Sequence, residues 1–452
     1  MKKNQQDLTV GSIAEKLIKF SIPLFIANLL QSFYSLVDML VVGRVVGKSG
    51  LAAVSNASMI SFIITSICIG ITMGGTVLIA QYKGANDEVG QKETMGTLFS
   101  ISTIASVIVT LTGLLVYKPV FGLLNVPDGA MQDACEYMEI ICAGTFFVFG
   151  YNAVCSIMKG FGDSKSSMYF VVVATVINVI LDLILVGPLG FGTKGAAYAT
   201  VFSQAVSFIL SILYLRRNSF IFDFTFKSFK INMDKAFPIL KIGMPTAIQM
   251  VIVNMSYLLI TGMLNNFGIS VAAASGIGLK VSTFAGMPCW AIGQAITAMV
   301  GQNMGAKNIG RVKKTTIVGL RLNLMITLLV VILVQLFAEP IIRIFNPASV
   351  DVVRDGVLYL RICCSINSLL YATMYTFDSL AIGVGSANIA MLNALLDAVV
   401  VRLPMSWFLA FFLSYGFAGI YIGEAMSPVL PAITGLVYFK SKAWQSRQMI
   451  EI

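Results

Sequence analysis

Apolar positions in this chain gather into long, nearly unbroken runs rather than into short periodic stretches. Such runs lie near 17–42, 52–80, 95–117, 136–158, 167–187, 195–215, 237–264, 271–301, 316–337, 357–380, 388–412 and 416–439. A helix needs about 20 mostly apolar residues to cross a bilayer. The pattern therefore predicts twelve transmembrane helices with short connectors, an all-α polytopic membrane protein. The second and eighth runs are long enough to hide a tilt or a broken turn.

The longest connector, Arg216 to Phe237, divides the pattern in two, and six basic residues stand from Arg216 through Lys241. The predicted organisation is an N-lobe over 1–215, a cytoplasmic linker over 216–236 and a C-lobe over 237–452. The two lobes repeat one another. Lys19-Phe-Ser-Ile-Pro23 matches Lys241-Ile-Gly-Met-Pro245, and Leu51-Ala-Ala-Val-Ser55 matches Val271-Ala-Ala-Ala-Ser275. Ala80-Gln-Tyr-Lys-Gly-Ala-Asn86 echoes Gly301-Gln-Asn-Met-Gly-Ala-Lys307, and Gly160-Phe-Gly162 echoes Gly383-Val-Gly385. Six spans per half give both repeats the same orientation, an arrangement found in transporters, with a cavity expected between the halves.

Composition narrows the class further. Of 452 residues, 57% are hydrophobic and 12% charged, against about 25% charged in soluble domains. Secreted disulfide scaffolds, nucleic-acid modules and cytosolic enzymes are excluded. Histidine is absent, which removes His-based zinc sites and Ser-His or Cys-His nucleophiles. The seven cysteines sit mostly in apolar runs without CxxC spacing and read as small buried hydrophobes. No Walker-type loop is present, so no ATP hydrolysis is expected. Met1–Thr9 is polar with two Lys, and no cleavable signal peptide is expected before the first span.

The formal net charge of +10 is explained by topology rather than by nucleic acid. With both termini cytoplasmic, the inside segments carry 21 Lys and Arg and the outside loops 6, as the positive-inside rule requires. Localisation in the cell (plasma or inner) membrane is expected.

Certain residues resemble those of a known family. Pro23 stands fifteen residues before Asp38, followed by Val42-Gly43-Arg44; then come Gln81-Tyr-Lys-Gly-Ala, Gly160-Phe-Gly-Asp-Ser164 and Gly301-Gln-Asn-Met-Gly-Ala306. In combination they resemble the multidrug and toxic compound extrusion (MATE) transporters over nearly the whole chain. The resemblance implies two six-helix lobes related by a pseudo-twofold axis along the membrane normal. It also implies export of organic compounds in exchange for protons or sodium ions.

Acids inside a membrane are functional candidates by default. Asp38 in the first span and Asp182 in the fifth lie 15 residues beyond Pro23 and 17 beyond Lys165, about 22–26 Å along their helices. Tyr34 and Asn178 stand one turn before them on the same faces, and neither Asp has a buried basic residue expected in its lobe. Unpaired carboxylates in a low dielectric titrate near neutrality, as proton coupling requires. Tyr34, Asp38, Asn178, Asp182 and Thr200 also resemble the N-lobe polar cluster of the proton-coupled, DinF-like branch. No resident cofactor is expected, only H+ or Na+ as the coupling ion. The sodium-linked NorM-like branch carries an acid in the seventh span, and Gln249–Asn254 here has none. This favours protons, although Asp, Asn and Thr oxygens also suit Na+.

In the second half, Lys280, Asp397, Arg402 and Glu424 lie at mid-membrane or outer depths, and two bases with two acids suggest mutual pairing. Asp378, near the cytoplasmic end of its span, reads as solvated. Pro23 and Pro245 recur at equivalent places and are hinge candidates, while Pro288 and Pro404 interrupt the eighth and eleventh spans. Asp38, Met250, Met287, Glu424 and Lys280 are candidates for the substrate cavity, whose adaptable Met lining and acids suit lipophilic organic cations.

The resulting expectation is a cation-coupled multidrug antiporter working by alternating access as a functional monomer in the lipid bilayer. Its partners are small organic molecules and no nucleic acid. A flippase of lipid-linked precursors and a Na+-coupled exporter are the alternatives within transport, and the N-lobe acids argue against an anionic cargo. An intramembrane aspartyl enzyme would need no twelve-helix repeat around its dyad.

Overall fold

The computed structural model describes residues 5–124, 126–217, 221–347, 349–447 and 450, which form helices joined by short turns, with no strand among them. The first half contains α1 (Ile13–Val45), α2 (Lys48–Gly84), α3 (Glu88–Leu123), α4 (Asp128–Gly160), α5 (Ser164–Leu185) and α6 (Gly192–Arg217). The second half opens with α7 (Met233–Asn265), α8 (Ile269–Gly305) and α9 (Ile309–Leu336), followed by the short α10 (Ala338–Phe345). The tenth span is split into α11 (Val350–Cys363) and α12 (Ile366–Gly383), bent by 48° between them. The eleventh comprises α13 (Ala387–Leu395), a π-helical turn (Leu396–Arg402), α14 (Leu403–Trp407) and a second π turn (Phe408–Phe412). The last comprises α15 (Gly416–Met426) and α16 (Val429–Ser441).

Among the described residues eleven stretches are long and apolar enough to cross a bilayer, and the bent pair makes a twelfth. The interruption expected in the second or eighth run lies elsewhere, since α2 and α8 each run 37 residues without a break. Pro288 sits inside α8 without dividing it. The break falls at Cys364–Ser365, where side chains take over freed backbone groups. The Ser365 N–H donates to Asn367 Oδ1 at 3.0 Å and the Ser365 hydroxyl to the Ile362 carbonyl at 2.7 Å. Pro404, by contrast, does perturb its helix. It has no N–H to donate, and the ladder around it opens into wider π turns.

The repeat extends to backbone conformation. Gly47 and Gly268 precede α2 and α8 at φ 86° and 99°, and Asn86 and Lys307 follow them at 57° and 53°. Gly162 and Gly385, at 81° and 84°, and Gly192 and Gly416, at 55° and 61°, continue the series. Asp87 then caps α3 by accepting from the Gly90 N–H at 2.9 Å, as Asn308 caps α9 from the Arg311 N–H at 3.1 Å. Each such cap satisfies an orphan donor of the first turn.

Contacts group the chain into two units. Among the described residues the N unit contains Ile22–Ala247 with residues 5–7, and the C unit contains Leu8–Ser21 with the chain from Ile248 onward. The unit borders therefore differ from the expected division at the starts of two helices. The beginning of α1 belongs to the C unit because Leu8–Gly11 is fastened to α8 and α9. Leu8 N–H donates to Gln302 Oε1 at 3.0 Å, and the Arg311 guanidinium donates to the carbonyls of Leu8, Val10 and Gly11 at 3.3, 2.9 and 2.9 Å. The beginning of α7 belongs to the N unit. Gly70 and Gly74 of α2 leave room for its backbone, and a Cβ at either would collide with Ala247 or the Ile239 carbonyl. Lys235 donates to Tyr82 Oη at 2.5 Å and pairs with Glu93 at 3.7 Å. The linker also packs on the N unit, with Phe222 and Phe224 buried and their rings 5.9 and 6.2 Å from that of Phe99. Pro23 and Pro245 thus lie next to the points where α1 and α7 pass from one unit to the other.

Hydroxyls tie the N-unit helices together, as small polar residues do in membranes. Thr76 and Ser156 share a hydrogen bond of 2.6 Å, Thr110 donates to the Cys142 carbonyl at 2.9 Å and Ser207 to that of Phe170 at 3.1 Å.

Candidate functional site

The N unit brings Tyr34, Asp38, Asn178, Asp182 and Thr200 into one polar cluster. Asp38 on α1 and Asp182 on α5 are buried, 8% and 0% exposed, and each lies within the other's electrostatic field. Tyr34 stands beside both. Asn178 donates through Nδ2 to Thr200 Oγ1 of α6 at 3.4 Å, leaving its own carbonyl oxygen unpartnered. Asp38 Oδ1 and both oxygens of Asp182 also lack a hydrogen-bond donor. No ion pair reaches either carboxylate among the described residues. Lys159 is half-buried in this unit, but it lies at the far end of α4 from Tyr137, about 33 Å along the helix axis.

Tyr137 was missed from sequence. It is 5% exposed on α4, within hydrogen-bonding reach of Thr200 and in the field of both acids. Its only signal was a polar aromatic residue inside an apolar run. Four buried acceptor oxygens without donors form a site that calls for a positive charge or protons, because unmet buried acceptors are costly.

The C unit is arranged differently. Arg402 and Asp397, each 2% exposed, form an ion pair of 2.6 Å. Five residues is a poor facing distance on an α-helix of about 3.6 residues per turn, and the π turn is what brings the two side chains together. Arg402 also donates to Ser256 Oγ at 2.8 Å and Ser427 Oγ at 3.4 Å, and lies 4.2 Å from the Tyr257 ring centre. Glu424 is 8% exposed and accepts from the Tyr359 hydroxyl at 2.9 Å. It lines a small cleft with Tyr257, Thr261 and Ser275.

Two expectations are corrected here. Lys280 is exposed and forms no ion pair among the described residues, so one pair replaces the expected four-charge network. Asp378 is not solvated but 2% exposed, because α12 packs against α8, α9 and α16 at this level. Of the cavity candidates, Met250 is half-buried and Met287 is 1% exposed, packed in the C-unit interior. Pro23 and Pro245 both lie inside helices that continue through them.

The MatE family model matches residues 23–184 and 245–408, one match per repeat. The chain belongs to the MATE family. It is a transporter with many membrane-spanning helices and not an enzyme. Among MATE relatives it is 29% identical to the probable multidrug resistance protein YoeA of Bacillus subtilis, over 98% of this chain and 96% of that one. It is 26% identical to the probable multidrug resistance protein NorM of Thermotoga maritima, over 98% and 95%. An outward-facing MATE transporter structure of the MOP superfamily superposes with a TM-score of 0.91 at 23% identity, covering 96% of this chain and 97% of that one. A MOP superfamily transporter from Pyrococcus furiosus superposes with a TM-score of 0.90 at 23% identity, over 96% and 97%. These two likenesses establish the all-helical, two-lobe MATE fold.

Proposed function

We propose that this MATE protein is a secondary active multidrug exporter of the DinF-like branch, exchanging protons for organic cations by alternating access. The observation that carries the reading is the N-unit pair Asp38 and Asp182, buried together with no cation beside them. Two such carboxyls attract protons. Protonation from outside neutralises the pair and weakens its hold on a cationic cargo, and proton release inward restores it. Tyr34, Tyr137, Asn178 and Thr200 complete the polar pocket around the carboxyls. The relatives' names as multidrug resistance proteins support the cargo class. The chain works as a monomer in the plasma membrane with both termini cytoplasmic, in keeping with its inside excess of Lys and Arg.

One observation favours a second reading. The unpartnered oxygens of Asp38, Asp182 and Asn178 are also hard ligands for Na+. Reconstituted protein in vesicles with an imposed pH or Na+ gradient separates the two. Dye transport that follows the pH gradient, is accompanied by proton movement and vanishes in Asp38→Asn and Asp182→Asn is the expected result. Transport that follows Na+ and ignores pH assigns the site to sodium. No transport under either gradient overturns the exporter.

A further inference from the structure

The C unit contains a second set of buried acids that the N-unit mechanism does not use. Asp378 and Asp397 are each 2% exposed and Glu424 is 8% exposed, while Arg402 is the buried base beside them. Lys280, Arg321, Arg361 and Lys440, on the surrounding helices, are all exposed. Of these three carboxyls, Asp397 and Glu424 have Arg402 as their basic neighbour, and among the described residues the charged neighbour of Asp378 is Asp397 alone. Uncompensated charge in such surroundings is expensive, and a group there neutralises instead. Arg402 is committed to Asp397 at 2.6 Å, and Glu424 lies in the field of both.

Asp378 is the acid left without a cation. Its Oδ1 accepts from Asn393 Nδ2 at 2.6 Å, and Asn393 Oδ1 in turn accepts from Thr434 Oγ1 at 2.5 Å. Its Oδ2 is buried without a partner, and so is Oδ1 of Asp397. The charged group that reaches Asp378 is Asp397, of like sign, from the π turn. The other groups around it are neutral: Tyr375 on its own helix, Asn393 on α13 and Thr434 on α16. On α9, Asn323 donates to Thr376 at 2.9 Å. An orphan oxygen on each of two neighbouring carboxyls, with the one guanidinium already paired to Asp397, leaves room for a proton at Asp378.

We propose that the C unit carries a proton-binding site of its own at Asp378, with the proton on Oδ2, beside the Asp397–Arg402 ion pair. Asn393 fixes the carboxyl by donating to Oδ1, which leaves Oδ2 as the protonated oxygen. The site is distinct from the Asp38–Asp182 pair and stands whether or not that pair couples transport.

The test is infrared spectroscopy of purified protein at neutral pH, without substrate or gradient, reading the carbonyl stretch of protonated carboxyls. A component of that band is expected to be retained in Asp38→Asn/Asp182→Asn and lost in Asp378→Asn. In Asn393→Ala the same component is expected to shift to higher frequency as its hydrogen bond is removed. An unchanged band in Asp378→Asn overturns the proposal. So does failure of Asp378→Asn to fold, because asparagine imitates the protonated acid and replaces only a charged one badly. A failure of transport in the vesicle experiment leaves these spectra unaffected, so the two readings fail separately.

Discussion

The two units share one repeat, yet the acid pair of the N unit and the Asp397–Glu424 cluster of the C unit are treated in opposite ways. In the N unit, Asp38 and Asp182 lie together without a base, and three of their oxygens have no donor. In the C unit, Asp397 is neutralised by Arg402 at 2.6 Å and Glu424 is held by Tyr359 at 2.9 Å. The repeated glycines, caps and left-handed residues fix matching backbones, and a few side chains then decide what each lobe does. The same frame holds a base-free acid pair in one half and, beside the cation-free Asp378, an ion-paired acid in the other. An unpaired acid is poised to gain a proton or an ion, whereas a paired one mainly holds helices together.

The largest effect expected from this contrast is on transport. Asp182→Asn should reduce gradient-driven export in vesicles to the level of empty liposomes while leaving thermal stability in detergent near that of the wild type. Retained export would break the contrast, because it would show that the N-unit pair is structural. The C-unit pair should behave in reverse. Asp397→Ala leaves Arg402 buried and unpaired and should cost about 3–5 kcal/mol, read as a large drop in melting temperature. The double replacement Asp397→Leu/Arg402→Met should recover most of it, as well-packed apolar residues often match a buried ion pair. If the double variant is as unstable as the single one, packing rather than charge explains the loss.

A smaller effect is expected at the helix starts that each unit borrows. Arg311→Ala removes three hydrogen bonds to Leu8, Val10 and Gly11, and the loss should be about 1–2 kcal/mol given partial exposure. It should appear as faster amide exchange over residues 8–21. Lys235→Ala should do the same for the start of α7, and unequal responses would show that the two anchors are not equivalent. The smallest effect is expected at Tyr137→Phe, which keeps the ring but removes the hydroxyl near Thr200. A shift in the pH of half-maximal transport, with expression and stability unchanged, would show that this hydroxyl tunes the acid pair.

Much of this was legible in the chain. Asp38 and Asp182 could be paired in advance because helix rise converts sequence spacing into depth, and depth limits which groups can share a pocket. Tyr137 could not, because an apolar run gives no sign of which face of α4 meets α1 and α5. Asp378 was misplaced for a related reason. Proximity to a span's end suggests water, but packing of α12 against its neighbours buries that end. Pairing of Arg402 with Asp397 was expected from their charges, but the geometry that permits it was not, because Pro404 and the π turn change the local period.

The sequence by itself determined the twelve spans, the repeat and the intramembrane acids. Run length, motif offset and the cost of burying charge are all properties of the linear chain. The tertiary structure decided which acids are paired, which oxygens lack donors and which unit holds the start of α1 and α7. Those depend on the azimuth of each helix and on contacts between residues as far apart as Leu8 and Gln302. A pattern along the chain gives a residue its depth and chemical type, and packing between helices alone gives it a partner.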